Sequence, residues 1–522
     1  GHGMRRQMMR RVLIGALLLF LPIPSWPQPS IAPSAEEVGA PFSPADETSF
    51  LHPSALYHPE TWFHFIGGNV SKEGIVADLE AIKQAGFSGF QWFHGHFGGQ
   101  WPATNQQIKA LTPEWEEMVS FMGNKAKELG LRLTVQTCPG WAMAGGPWIT
   151  PENAMRELVW SRTDIAGNAD GPHTLPMPQP SQEEWRNYQD VAVVAFPTPA
   201  GDTSGILLPE VVESSSSLDW NACLRNQLSH PIQLPAGSVH TIRFRLPAGQ
   251  TIRTLELPSI NSWRHEWVFQ PDVHLRLTAS KEKQEKILVD LDAPMCNWQD
   301  NSELVLACNE VPQADHYTLT ISNAHGMNLQ YVKFYSAARK NSWRAEAGWT
   351  LMGKIQLPDG FRQDQNAYIR KDEIIDLSGR MTPDGQLTWK APKDRKWTVL
   401  RIGHVNSGRK NGPAPKEATG WECDKLDVKG AHQQFAGYVG HLHDVPLRDC
   451  PPQGMLMDSW ECSTQTWTWQ MEEMFRQHTG YALRQWFPAL MGYVVDNPET
   501  TSRFLLDWRR TLGDLYVENF FR

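Results

Sequence analysis

The amino-acid sequence predicts an α/β fold: a (β/α)8-type barrel, incomplete within these 522 residues, with a large inserted β-sandwich-like domain. Three observations carry this expectation. Strand-like runs alternate with helices whose apolar residues fall at helical spacing through the first 160 residues. From about Ser161 to Lys396 the apolar period drops to two. The alternation then resumes at Trp397, but the barrel-type strands total only about five, where a closed barrel needs eight.

Thr61 to Phe65 is an aromatic strand ending at Gly67-Gly68-Asn69, after which Ser71 caps a helix carrying Ile75, Leu79 and Ile82 on one face. Gly86 stops that helix and Phe87 to Phe93 forms a second strand. Thr112-Pro113-Glu114 opens a second helix with cap, proline and acid in the favoured order, and Trp115, Met118, Met122 and Leu129 form its inner face. Gly130 closes it and Leu131 to Thr137 is a third strand. Ile242, Phe244 and Leu246, Val273, Leu275 and Leu277, and Tyr317, Leu319 and Ile321 are period-two runs, with Pro383-Asp384-Gly385 as a turn signal. Trp397 to Val405 then reads as a barrel strand, followed by a helix with Phe435, Val439 and Leu442 on one face and by the strand that enters Asp458. A further helix groups Trp467, Met471, Met474 and Phe475, and Asn497-Pro498-Glu499 caps a long one burying Phe504, Leu505, Trp508, Leu512, Leu515 and Phe520.

The formal charge of −9 disfavours nucleic acid as a partner. Arg5, Arg6, Arg10 and Arg11 precede an apolar run from Val12 to Leu21 and then Pro22, Pro24, Pro27 and Pro29, the layout of a cleaved secretory leader. Export to the periplasm or outside the cell is expected, with no stable membrane insertion after cleavage. Seven scattered cysteines make no disulfide framework, and the absence of CxxC, HExxH or zinc-spaced histidines argues against transition-metal catalysis.

The most chemically informative stretch is Gly454-Met455-Leu456-Met457, an apolar run delivering Asp458 and Glu461 into a loop with Trp460, Trp467 and Trp469. Carboxyl groups that trade protons beside flat apolar faces are what cleavage of a sugar linkage needs, so the residues point to a glycosidase. Glu461 is the candidate general acid, against the alternative of a solvated loop glutamate. Asp458 could bind a hydroxyl, ligate a cation or cap the loop. Glu422 and Asp424, after a different strand, could converge on the same rim and suit a hard cation, or serve a surface salt bridge of Lys425 and its neighbours. Asn69 is a candidate for hydroxyl recognition or a turn former. Trp141, Trp148 and Trp467 could wall a sugar pocket or fill a core. His94 and His96, at the end of the second strand, could tune the pocket or bond backbone carbonyls.

Trp62 to Phe90, with Gly68-Asn69, Lys72-Glu73-Gly74-Ile75 and Ala77-Asp78-Leu79-Glu80, resembles the opening of glycoside hydrolase family 106, the α-L-rhamnosidases. Cys138-Pro139-Gly140-Trp141 with Gly145 to Pro151, Pro413-Ala414-Pro415 with Gly420 to Leu426, Asp458-Ser459-Trp460-Glu461 through Thr468, and Pro498 to Phe520 are similar to later segments of that family in the same order. The resemblance implies a multidomain, inverting, calcium-assisted enzyme that removes terminal α-linked rhamnose from plant-type polysaccharides or glycosides. It places the catalytic base beyond Arg522. The ending Gln91-Trp92-Phe93-His94-Gly95-His96 departs from the more acidic or polar ending expected of relatives and leaves substrate choice open. The division expected is a signal peptide and linker at 1–30, a first part of the catalytic barrel at 50–160, the β-rich insertion at 161–396 and the barrel's continuation at 397–522. A non-catalytic glycan-binding protein, or a fragment lacking its base, is the alternative reading.

Overall fold

The computed structural model describes residues 33–96, 107–179, 187–263, 270–296, 298–353 and 355–522; the leader read near the start of the chain lies outside them. The chain divides into two compact units, Gly1–His58 and Pro59–Arg522. In the first, helices Ala35–Gly39 and Pro44–Leu51 are N-capped by Ser34 and Ser43, each hydroxyl accepting from the amide three residues on while the acid there bonds back.

The second unit opens with strands β1 (Glu60–Ile66), β2 (Gly89–Gly95) and β3 (Arg132–Gln136), joined on the far side of β3 by Gly454–Leu456; all pair in parallel in that order. The connecting helices form where the caps predict. Ser71 Oγ accepts from Gly74 N at 3.0 Å to start Lys72–Gln84, and Thr112 Oγ1 accepts from Trp115 N at 3.3 Å to start Pro113–Leu129. Gly130 ends the second helix in the left-handed region that glycine adopts without strain. Ile75, Leu79, Trp115, Val119 and Met122 bury against Phe90, Trp92, Leu133 and Val135. Each large apolar side chain so enclosed stabilises the layer by about 1.5–3 kcal/mol. Strand alternation puts Phe90, Trp92 and His94 on this helix-facing side, and Gln91 and Phe93 on the other.

Among the described residues this parallel sheet has four strands and does not close, so the expected (β/α)8-type barrel is not confirmed. The strand Trp397–Asn406 accounts for one difference. It pairs antiparallel with Arg156–Ile165 on one side and Gln189–Pro197 on the other, and not with the parallel sheet. All ten of its residues are buried, and a strand covered on both faces carries no alternation to tell one kind of sheet from the other. One face of this second sheet packs on helices Met471–Thr479 and Pro498–Tyr516, the other on Leu377, Leu387 and Trp389.

The period-two runs are neighbours in a five-stranded antiparallel sheet ordered Gln284–Asp292, Val273–Lys281, His316–Asn323, Ser238–Arg245, Glu210–Ser214. Phe244 lies opposite Tyr317 with rings stacked at 5.4 Å. Their inner faces share a core with a three-stranded sheet, Leu304–Ala307, Thr254–Leu257 and Lys333–Tyr335. This is a two-layer, sandwich-like body. No helix among the described residues is long and apolar enough to cross a membrane.

Candidate active site

The carboxyl ends of the four parallel strands meet at one rim, where open α/β sheets assemble ligand sites. Backbone hydrogen bonds knit the loops there: Gly67 N to Gly95 O at 2.8 Å, Gly140 N to His94 O at 2.7 Å, Thr137 N to Leu456 O at 2.9 Å, and His96 N to Pro413 O at 3.3 Å. The last bond brings in the loop that follows Trp397–Asn406. That loop crosses Gly140 so closely that a Cβ there would sit 2.9 Å from Gly412 Cα, and Gly140 also has φ +87°. A side chain at residue 140 would lift the loop off the rim.

Glu461 leaves this rim five residues after Leu456 and is half-buried. Burial, with the Asp458 charge as a second cause, holds its carboxyl above the usual glutamate range. Its carboxylate makes no hydrogen bond or ion pair to the described residues. Asp458 Oδ1 accepts from Ser459 N at 2.8 Å and Ser459 Oγ at 3.2 Å, so it both shapes the loop and supplies the nearby charge. A carboxyl that holds its proton more tightly than usual, beside a second carboxyl, is an arrangement suited to general-acid chemistry.

Glu422 and Asp424 are each committed elsewhere. Glu422 Oε2 accepts from Lys425 Nζ at 2.8 Å, with both side chains essentially sealed from solvent. Burial pushes the Glu422 carboxyl up, and the Lys425 charge works against it. Asp424 accepts from Gln465 Nε2 at 2.5 Å, Thr468 Oγ1 at 2.6 Å and Leu426 N at 2.9 Å; burial still pushes it up to about 6. These two residues do not fit a calcium site. An ammonium already neutralises one and three neutral donors already occupy the other, and among the described residues no cluster of three His, Cys, Asp or Glu is arranged to hold a metal. The salt bridge expected at the surface does form between Glu422 and Lys425, but it is sealed in the interior.

The remaining expectations divide. Trp141 stands over the end of β2, where its indole fills the space a Gly95 side chain would take, and its Nε1 donates to His64 Nε2 at 3.3 Å. Asn69 also lies at the rim; its Oδ1 is enclosed and has no hydrogen-bond partner among the described residues, leaving an acceptor for a hydroxyl. His94 does not join them. It lies on the helix-facing side, wholly buried, with its ring 4.7 Å from Trp115 and 6.4 Å from Trp92, and burial lowers it to about 3. Trp148 stacks on Tyr438 at 5.4 Å and donates to Gln434 Oε1 at 2.8 Å, as a wedge between the Gly145-Gly146 strand and the helical run Val428–Phe435 with its continuation Ala436–Gly440, and not as a pocket wall. Trp467 likewise lies in the core, 3% exposed, between Phe487 and Trp508, and precedes the helix that starts at Met471.

Sequence reasoning missed three sets of groups. Trp62, 56% exposed, forms with His64 and Phe93 an aromatic patch on the side of the sheet away from the helices, with ring separations of 4.9 to 5.7 Å. Strand parity was the available signal, since these residues alternate with the partly buried Phe63 and the buried Phe65. Glu157, at the start of Arg156–Ile165, has its carboxyl pushed up to about 7 by burial, with Arg409 opposing. Gln299, from the sandwich-like body, accepts from Ser463 N at 2.9 Å and donates to Trp460 O at 3.4 Å, one hydrogen bond on each side of Glu461.

With this rim in view, comparison with known proteins decides the family. The profile of glycoside hydrolase family 106, described as alpha-L-rhamnosidase, matches residues 52–522. The chain belongs to that family. It is 26% identical to the solved rhamnosidase of Novosphingobium sp. PP1Y, with a TM-score of 0.71, over 91% of this chain and 45% of that one. A protein of Formosa agariphila carrying the name "Putative beta-glucuronidase" is 28% identical over 485 residues, 91% of this chain and 29% of the relative. The chain therefore spans less than half the length of either relative. Membership places the chain in a family of glycosidases.

Proposed function

We propose that this chain carries the acid-bearing part of an exported inverting glycosidase that removes terminal α-L-rhamnose from plant-type polysaccharides or glycosides, with Glu461 as the general acid. The observation that carries the reading is the placement of Glu461: on the carboxyl rim of the parallel sheet, half-buried, with a carboxyl held above the usual range beside the charge of Asp458. Protonation of a departing sugar oxygen needs a carboxyl that holds its proton more tightly than a free glutamate does, and burial shifts Glu461 in that direction. Trp141 and the Trp62 patch offer apolar faces for a deoxy-sugar ring, and Asn69 Oδ1 an acceptor for a ring hydroxyl. Inversion also requires a second carboxylate that activates water, about 6.5–9.5 Å from the first. The longer relatives have room for it in sequence beyond the part this chain matches. Export rests on the leader pattern alone.

Glu461→Gln in the full-length enzyme is expected to abolish hydrolysis of glycosides with poor leaving groups while sparing activated aryl glycosides, which depart without a proton. Equal loss on both removes Glu461 as the acid. The name of the Formosa agariphila relative favours, as a second reading, a uronic-acid substrate on the same catalytic frame. A panel of aryl rhamnosides and aryl glucuronides separates the two. Rhamnose binding without turnover by the full-length protein would instead support a glycan-binding role.

A further inference from the structure

The segment Trp460-Glu461-Cys462-Ser463 is gripped from two directions by residues distant in sequence. Beneath it, Lys425 Nζ lies 5.0 Å from the Trp460 ring and 3.7 Å from Cys462 Sγ while paired with Glu422. The side chains immediately before and after Glu461 are thus drawn toward one buried ammonium. From the other direction, the Gln299 carboxamide accepts from Ser463 N and donates to Trp460 O, so a single planar group spans the backbone around Glu461 as a neighbouring strand would. The Trp460 indole also donates to Ser463 O, and Ser463 sits at φ +63°, a conformation that costs a non-glycine residue free energy unless its surroundings enforce it.

Gln299 is itself fixed. Its neighbour Asp300 is buried; its carboxylate accepts from Thr350 Oγ1 and from Ser302 N at 2.9 Å, and its carbonyl accepts from Asn261 Nδ2. Asn261 and Ser302 belong to the same sandwich-like body, so the carboxamide is delivered by a packed scaffold and not by a free loop. We propose that the inserted body is a working part of the active site, and that Gln299 is a positioning residue that sets the direction of the Glu461 carboxyl toward the departing sugar oxygen. The inference rests on Glu461 being the acid. It assigns the insertion a role in proton transfer.

The test uses the full-length enzyme, an alkyl glycoside, and an activated aryl glycoside of the sugar it prefers. Gln299→Ala is expected to lower kcat on the alkyl glycoside by about ten- to a hundredfold, the range for a misdirected catalytic group, with a much smaller loss on the aryl glycoside and little change in KM. Gln299→Glu retains the acceptor for Ser463 N and adds a negative charge near Glu461. It is expected to move the alkaline limb of the pH–rate profile upward, and it also covers the case in which Gln299→Ala misfolds. Equal losses on both substrates with an unmoved alkaline limb would show a role in stability only and overturn the proposal. Glu461→Gln is run alongside: if it discriminates between the substrates and neither Gln299 variant does, the positioning role fails alone. If Glu461→Gln does not discriminate, the acid assignment fails and takes the proposal with it.

Discussion

Replacing Lys425 by Met tests whether the sealed Glu422–Lys425 pair is what holds the acid-bearing segment down. The ammonium bonds Glu422 Oε2 at 2.8 Å and the Cys423 carbonyl at 3.3 Å, and lies beneath the Trp460 ring. Methionine fills a similar volume but leaves Glu422 buried with no counter-charge and with Oε1 already lacking a hydrogen bond. Removing one partner of such a pair costs about 3–5 kcal/mol. The pH dependence has a definite sign. Burial already holds the folded-state carboxyl above its unfolded value, and losing the lysine raises it further. Below the unfolded value Glu422 is protonated in both states and the cost is small. It grows as pH rises and the unfolded chain gains an ionisation that the folded chain resists. Chemical denaturation at pH 5 and pH 8 should therefore show a larger loss at pH 8. The double variant Glu422→Gln, Lys425→Met should recover most of it, giving a coupling of about 2 kcal/mol or more. A loss below about 1 kcal/mol at both pH values, with no coupling, is the behaviour of a solvated pair and would refute the sealed arrangement.

Asp458→Asn removes the charge that helps hold the Glu461 proton, so Glu461 should ionise at lower pH and the alkaline limb of the pH–rate profile of the full-length enzyme should move down; an unmoved limb separates the two groups electrostatically. Glu157→Gln is expected to raise the melting temperature at pH 8 and not at pH 4, because a carboxyl near 7 in the fold and 4.5 unfolded loses stability only as pH rises between those values; the effect, discounted for partial exposure, is about 1–2 kcal/mol, and equal melting shifts at both pH values would contradict it. Trp467→Ala should cost about 3–5 kcal/mol by cavity formation between Phe487 and Trp508, read by denaturation; a fully stable variant with weakened sugar binding would return Trp467 to the pocket.

The elements that could be read in the sequence are those fixed by neighbours along the chain. Ser71, Thr112 and Gly130 announce helix ends through bonds that reach only three or four residues, and the runs through Ile242, Leu275 and Leu319 alternate because each strand has one covered face. The placement of Trp397–Asn406 was not legible. Its register runs from Asn406 opposite Arg156 to Trp397 opposite Ile165, across the whole insertion, and nothing within a fully buried strand records which way its neighbours run.

The site divides along the same physical line. Strand parity was enough to warn that His94 shares the apolar face of Phe90 and Trp92, whereas the fate of Trp467 depended on Trp508, which arrives on a helix some forty residues later. An indole over a sugar and an indole in a core make the same demand on local sequence. Glu461 was legible because an apolar strand ending in a carboxyl-bearing loop is a local signature of a sheet rim. What aims it was not, since Lys425 and Gln299 approach from separate bodies of the fold and carry no motif of their own. A carboxyl at a sheet rim can thus be located from the chain that bears it, but its direction is set by groups that only folding brings near. For that reason the Gln299 variants should disturb proton transfer to poor leaving groups even though these Gln299 hydrogen bonds go to the backbone on either side of Glu461 and not to its carboxyl.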